Sequence, residues 1–165
     1  MRDQFEYIGI SSPERRAIVR EFLSAHELPA YSGLHDLIRE MWIREEREFQ
    51  YAAMEFCYRY RKQFQKKDLE LFEWMLLNKS WWDTVDFITP RIIQYYFHLY
   101  PDRTVPTTKR WLKSGNIWLI RSAIIFQLHP VEGVNEELLF DNIRAAAAHP
   151  DFFVRKGIGW ALRQY

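Results

Sequence analysis

An acidic residue beside aromatic side chains stands out in the segment Lys79–Pro90, KSWWDTVDFITP. Trp82 and Asp86 are four residues apart, so in a helix both side chains emerge on one face. Asp86 lies between Val85 and Phe87, where aspartate is a poor helix former and a buried charge costs free energy. A fixed carboxylate can stabilise positive charge that develops during a reaction. Asp86 is therefore the residue whose placement needs a functional explanation.

The start of the same helix has a structural interpretation. Ser80 and Asp83 fit a capping box, in which the serine side chain accepts from a backbone N–H and the acid reaches back. Trp81 belongs to the apolar stripe of the helix. We therefore expect Trp81 and Asp83 to build and cap the helix, while Trp82 and Asp86 project from its working face.

Apolar residues recur with helical spacing through nearly the whole chain, and no alternating run is long enough to predict a sheet. The helix from Ser80 is expected to be interrupted at Pro90 and to resume up to about Leu99. Helices are predicted near residues 13–25, 35–43, 47–64, 68–78, 80–99, 106–113, 117–128, 136–148 and 151–163.

The helices also repeat. Aligning Ala53, Asp86, Ala123 and Gly157 gives spacings of 33, 37 and 34 residues, the range of HEAT-type helical pairs. The sequence therefore predicts an all-α fold, a HEAT-like α-α superhelix of antiparallel helix pairs with a concave face. Asp86 stands in a column that otherwise holds alanine or glycine, so one repeat places an acid in that face.

Composition limits the class of protein. The chain has 165 residues, of which 48% are hydrophobic and 27% charged, as expected for one soluble domain over residues 1–165. Its single cysteine, Cys57, excludes a disulfide framework, and the histidines lack metal-ligand spacing, so neither a metal nor a cofactor is predicted. No apolar run approaches a membrane span and no signal peptide is apparent, which predicts a cytoplasmic protein without a membrane partner.

Basic residues cluster in two windows although the net charge is only +1. Residues 59–67 and 103–121 each contain five basic residues and no acid. Such a window is usually a solvated helix face, but two of them in a nearly neutral protein favour a polyanionic partner. The second window includes Lys113 and Arg121, with Asn116 between them as a predicted helix N-cap.

Three motifs in order, KSWWDTVD, SGNIWLIRSAIIFQL and FFVRKGIGWALR, resemble the AlkD-type DNA alkylation-repair glycosylases, a family built from HEAT-like repeats. The resemblance begins near Gly9 and runs to the last residue. In that family the active cleft uses the second tryptophan and second aspartate of the first motif, the arginine of the second and the tryptophan of the third. These positions correspond to Trp82, Asp86, Arg121 and Trp160.

The resemblance implies excision of cationic alkylated purines, such as 7-methylguanine and 3-methyladenine, from duplex DNA without a base-flipping pocket. The expected partner is duplex DNA containing alkylated bases, bound by a monomer without a cofactor. A carboxylate beside the deoxyribose would stabilise its oxocarbenium-like transition state. The implied catalytic residues are Asp86, Trp82 and Trp160, and the implied DNA-binding residues are Arg121, Lys113, Asn116 and Lys156.

A binding module without catalytic activity, holding DNA or a protein on its concave face, is the alternative. Family members usually carry further helices at both ends, so the chain is expected to be a shortened member. A carboxylate near phosphates would repel them, so the presence of Asp86 with its three cleft partners favours the enzyme. Trp118 can pack or line the cleft, and Arg155 can reach phosphate or lie on an exposed helix face.

Overall fold

The computed structural model describes residues 4–165, and the regular structure of these residues consists of α-helices, short 3₁₀ helices and a π-helical segment, without a β-strand. The prediction of an all-α fold is confirmed. No helix in the described part is both long and apolar enough to cross a lipid bilayer. The helices are α1 Ser12–Ala25, α2 Leu34–Ile43, α3 Arg47–Arg59, α4 Leu69–Leu77, α5 Trp82–Phe87, α6 Gln94–Leu99, α7 Thr104–Leu112, α8 Ile117–Ile125, α9 Glu136–Ala146 and α10 Phe152–Gln164.

The chain divides into two compact units, Met1–Gln63 and Phe64–Tyr165. In the first unit, the buried Glu48 side chain of α3 accepts hydrogen bonds from the backbone N–H groups of Ile8 and Gly9, at 3.1 and 3.0 Å. The segment before α1 is thereby fixed to α3. The prediction of one repeat domain over residues 1–165 stays a prediction.

The second unit is built around α8, whose sequence IWLIRSAII is apolar on nearly all sides. A helix of this kind is expected to be buried all round, and residues Trp118 to Ile125 are all buried. Helices α7, α9 and α10 pack against it. Their shared apolar core includes Ile120, Ile124, Leu139 and Val154. The central position of α8 matters because it carries Arg121.

Helices α5 and α6 are joined without a break by a π-helical segment, Ile88–Ile93. The α-helix is therefore interrupted around Pro90 and resumes up to Leu99, as predicted, but the chain between the two parts stays helical. Proline lacks a backbone N–H and disrupts regular α-helical bonding, and a wider π turn is one way in which a helix accommodates such a disruption. The buried Thr89 hydroxyl is 2.8 Å from the Ser122 hydroxyl, which ties this segment to α8.

The predicted capping box at the start of α5 is wrong. Trp81 is the N-cap residue and no side chain caps the helix. The Ser80 hydroxyl instead donates to the Leu76 carbonyl oxygen at 2.5 Å, at the end of α4. Lys79 adopts a left-handed backbone conformation, with φ of 49°, where the chain leaves α4. Ser80 therefore terminates one helix and does not begin the next.

Candidate active site

The Asp86 carboxylate of α5 is held by the Arg121 guanidinium of α8. Arg121 Nε donates to Asp86 Oδ1 at 2.8 Å, and Arg121 Nη2 donates to Asp86 Oδ2 at 2.7 Å. Two parallel bonds of this kind fix both the distance and the plane of the carboxylate. The Arg121 side chain is only 5% exposed and that of Asp86 is 17% exposed. The acid is therefore fixed in orientation and still reaches solvent.

Arg121 also contacts α10. Its Nη1 donates to the Phe153 carbonyl oxygen at 2.5 Å, and its Cζ lies 6.0 Å from the centre of the Trp160 ring. Three predicted site residues, Asp86, Arg121 and Trp160, thus come from three helices and lie together. Arginine is suited to this position because its planar group offers five donors in a rigid arrangement.

This arrangement gives Arg121 a role that its sequence position does not reveal. A residue that binds a phosphate is usually accessible, whereas Arg121 is buried and three of its nitrogen atoms already donate hydrogen bonds within the protein. Its geometry is that of a positioning residue for Asp86. The predicted phosphate contact of Arg121 stays a prediction.

Burial raises the pKa of the Asp86 carboxyl above its ordinary value, because removal of water disfavours the charged form. The hydrogen bonds and positive charge of Arg121 act in the opposite direction, and the nearby negative charge of Asp83 adds a smaller increase. The balance is a raised pKa. Arg121 therefore offsets part of the cost of keeping a carboxylate in a dehydrated environment.

Trp82 and Trp81 have different environments although they are adjacent. The Trp82 side chain is 43% exposed at the start of α5, one turn before Asp86. The Trp81 ring packs edge-on against Phe153 and Trp118, with centroid distances of 5.3 and 5.8 Å. Trp118 is buried in this aromatic cluster, so it packs and does not extend into solvent.

Replacement of Trp81 by alanine should therefore change the stability of the protein far more than replacement of Trp82. Trp82→Ala removes a solvent-facing ring, so we expect a Tm within about 2 °C of wild type, because exposed substitutions cost little. Trp81→Ala opens a cavity beside Trp118 and should cost about 3 kcal/mol of unfolding free energy. Thermal unfolding of both variants measures this. Equal destabilisation by the two substitutions would contradict the assignment of Trp82 as a surface residue.

Among the other predicted DNA-binding residues, Lys113 follows α7, Asn116 precedes α8 and Lys156 lies within α10. Asn116 is the N-cap of α8, as predicted, and its Oδ1 accepts from the N–H groups of Trp118 and Leu119. Those two N–H groups are thus already bonded within the protein. Lys113 and Lys156 are exposed.

A groove of about 520 Å³ runs along α10 beside Trp160. Its lining includes Arg155, Lys156 and Arg163, and none of its lining residues is acidic. The Lys156 ammonium lies 5.5 Å from the ring centre of Phe152, which is 61% exposed. Positive charges next to exposed aromatic faces suit a nucleic acid, since they match its phosphates and stacked bases.

Two contributors to the site are not recognisable in the sequence. The Phe153 carbonyl binds Arg121, but a backbone carbonyl has no residue-type signal. Gly157 approaches Arg121 closely, and its only sequence signal is its place in the column of small residues. Within residues 4–165, no group of three or more His, Cys, Asp or Glu side chains could hold a metal ion.

The fold and this site define the class: an all-α protein in which the arginine that fixes a carboxylate lies near a tryptophan of a basic groove. The family model described as DNA alkylation repair enzyme matches residues 1–165, and the chain belongs to that family. A solved structure described as a predicted DNA alkylation repair enzyme from Enterococcus faecalis is 30% identical, with a TM-score of 0.87. The match covers 99% of this chain and 76% of that chain.

No curated protein matches this chain. The family and the solved relative confirm both the predicted family and the predicted HEAT-like helical fold. They support a role in DNA repair, with DNA as the partner.

Proposed function

We propose that the protein is a DNA glycosylase that excises cationic alkylated purines, such as 7-methylguanine and 3-methyladenine, from duplex DNA without a base-flipping pocket. The observation that carries this proposal is the Asp86 carboxylate, held by two hydrogen bonds from Arg121 and still partly open to solvent. Membership of a DNA alkylation repair family supports the substrate class.

The chemistry requires little from the protein at the base itself. Alkylation of a ring nitrogen makes the purine cationic, so the base leaves as a neutral molecule when it takes the electron pair of the glycosidic bond. Positive charge then develops on the deoxyribose, as in other glycosidic cleavages. Water adds to C1′ and loses a proton to solvent, which completes the hydrolysis. No general acid is needed for the leaving group.

Asp86 is proposed to stabilise the developing charge on the sugar and to orient the attacking water. Each carboxylate oxygen accepts one bond from Arg121 and keeps further acceptor capacity for a substrate or water. Because Arg121 fixes the carboxylate before DNA binds, little reorganisation is needed during the reaction. Preorganised charge in a partly dehydrated site is more effective than the same charge in water.

The aromatic residues are proposed to hold the nucleotide. Trp82 presents an exposed ring on the same helix as Asp86, and Trp160 lies next to the groove of α10. An aromatic face attracts a cation by about 0.5–2 kcal/mol, so both rings suit a cationic nucleotide. Trp82 is exposed and the Asp86 carboxylate is partly exposed, which supports contact with the sugar of a nucleotide that stays stacked.

Base release from alkylated duplex DNA tests the proposal directly. Wild-type protein should release 7-methylguanine well above the spontaneous rate under single-turnover conditions. The alternative is a binding module without catalytic activity, and it predicts DNA binding with release at the spontaneous rate. That result would overturn the glycosylase proposal. The two outcomes are distinguished by measuring release and binding in the same samples.

The exposed lysines Lys113 and Lys156 should affect the affinity for duplex DNA more than the rate of base release. Lys113→Ala and Lys156→Ala should each weaken duplex binding and reduce the slope of log K against log salt by about one, because each removes one phosphate contact. Arg144→Ala is a matched control, since Arg144 is an exposed cation of α9 paired with Asp141. Fluorescence anisotropy over a salt series measures the slopes. An unchanged slope for either lysine would remove that residue from the proposed DNA surface.

A further inference from the structure

Gly157 lies inside α10 directly against the Arg121 side chain. A Cβ atom at position 157 would lie 3.1 Å from Arg121 Nη1, 3.4 Å from Arg121 Cγ and 3.4 Å from Ile125 Cγ2. The guanidinium has little freedom to withdraw, because Asp86 and the Phe153 carbonyl hold it on separate sides. Any side chain at this position would therefore press on an arginine that is already fixed.

Backbone conformation does not account for the glycine. Gly157 is in the body of a helix, and its φ is not among the positive values found elsewhere in the described chain. Glycine lowers the stability of a helix relative to alanine. The close approach to Arg121 and to one methyl group of Ile125 is thus the remaining structural reason for the missing side chain.

We propose that Gly157 is a positioning residue for base excision: its missing side chain leaves the space in which Arg121 orients the Asp86 carboxylate. This inference rests on the proposed glycosylase function. It connects α10 with a carboxylate on α5, although Gly157 itself does not reach the carboxylate. A displacement of about 1 Å in a reacting group is enough to reduce a rate roughly 100-fold.

Gly157→Ala should reduce the single-turnover rate of 7-methylguanine release roughly tenfold, since a partial displacement of Arg121 misorients Asp86. The acid limb of the pH–rate profile should also move to higher pH. Arg121 lowers the pKa of Asp86, so a displaced Arg121 lets the carboxylate take up a proton at a higher pH. A purely structural role for Gly157 would change Tm without moving this limb.

Gly159→Ala isolates the effect of helix propensity. Position 159 lies two residues further along α10, and an added Cβ there meets no atom within 4 Å. Gly159→Ala should raise Tm by about 2 °C, as a Gly→Ala change does where it fits without strain. Gly157→Ala should show no such increase.

Removal of the Arg121 side chain should relieve the close contact between a Cβ atom at position 157 and the guanidinium. In an Arg121→Ala background the space beside Gly157 is empty, so adding Gly157→Ala should leave Tm unchanged or raise it. Arg121→Ala alone is the reference for this comparison: a Tm of the double variant equal to or above that of Arg121→Ala supports the inference, and a lower Tm overturns it. This comparison does not depend on catalysis.

The possible failures are distinguishable. If wild-type protein releases no base, the glycosylase proposal and the catalytic role of Gly157 both fall, and the Tm comparison still decides whether Gly157 makes room for Arg121. If wild type is active and Gly157→Ala has the same rate and the same acid limb, the positioning role is overturned while the glycosylase proposal stands.

Discussion

Replacement of Asp86 by asparagine is expected to lower the single-turnover rate of 7-methylguanine release roughly 10²–10³-fold, the usual cost of losing one preorganised electrostatic group. Asparagine keeps the size of the side chain but removes its charge, so the oxocarbenium-like sugar loses its counter-charge. DNA affinity should be equal or slightly higher, because a carboxylate near phosphates is repulsive. The rate is measured by release of free base at saturating protein.

Asp83→Asn is the matched control for this prediction. Asp83 lies one turn earlier, in the first turn of the same helix, and its removal takes away a carboxylate without touching the pair with Arg121. The rate of this variant should stay within about threefold of wild type, which is small against the 10²–10³-fold loss expected at a preorganised group. Undiminished release by Asp86→Asn would refute the proposed mechanism, even if the protein proved to be a glycosylase.

The same carboxylate should set the acid limb of activity. Asp86 acts only when it is ionised, and burial raises its pKa above the ordinary value. Activity should therefore fall with decreasing pH at a higher pH than an unperturbed aspartate would give. Spontaneous depurination is subtracted at each pH by a sample that contains no protein.

The second large effect is expected from Arg121→Ala, which leaves the largely buried Asp86 carboxylate without its partner. Loss of one member of a buried ion pair commonly costs 3–5 kcal/mol of unfolding free energy, so we expect a loss of about 3 kcal/mol at neutral pH. Release of 7-methylguanine should fall roughly 100-fold, because the carboxylate loses its fixed orientation. Thermal or urea unfolding and the base-release assay measure the two effects separately.

The loss of stability in Arg121→Ala should be largest at neutral pH and should become smaller as the pH falls. Without Arg121, the pKa of Asp86 in the folded state rises further, because burial is then less opposed. The folded variant thus binds a proton more strongly than the unfolded chain does. Its deficit relative to wild type should shrink as the pH falls towards the unfolded value of about 3.9. A deficit that is constant with pH would show that the pair with Asp86 is not its source.

Salt dependence separates the two roles considered for Arg121. If Arg121 binds a phosphate, Arg121→Ala should reduce the salt slope of DNA binding by about one. If Arg121 is a positioning residue, the rate of release should fall while the slope remains that of wild type. A double variant, Asp86→Asn with Arg121→Ala, should lose little more activity than either single change, because residues that act as a unit are not additive.

The amino-acid pattern predicts the helices well, but it predicts the ends of the helices and the connections between them poorly. Helical spacing of apolar residues is a local property, so the all-α fold follows from it. The pattern assigns Ser80 to the wrong helix because the turn at Lys79 depends on a left-handed backbone that no residue type requires. Pro90 predicts the interruption of its α-helix but not that a π-helical segment fills the interruption.

The sequence predicts the members of the site but not their connections. Asp86 is conspicuous because a lone acid among apolar residues is locally unfavourable. Its partner Arg121 lies 35 residues away, and a pairing across that distance depends on how α5 and α8 pack. The Phe153 carbonyl and the space at Gly157 are equally consequences of tertiary packing, which residue types alone do not encode.

The π-helical segment Ile88–Ile93 rotates the side chains of α6 about the helix axis relative to those of α5. One additional residue in a helical turn rotates everything that follows by about 100° relative to a regular α-helix. Asp86 precedes this segment and faces Arg121, whereas Tyr96 and Phe97 follow it and are buried. Deletion of one residue within the segment would remove this rotation. Asp86 and the pair Tyr96 and Phe97 could then no longer all keep their present directions. The π-helical segment thus allows one helix to direct Asp86 towards Arg121 and, further along, to bury Tyr96 and Phe97.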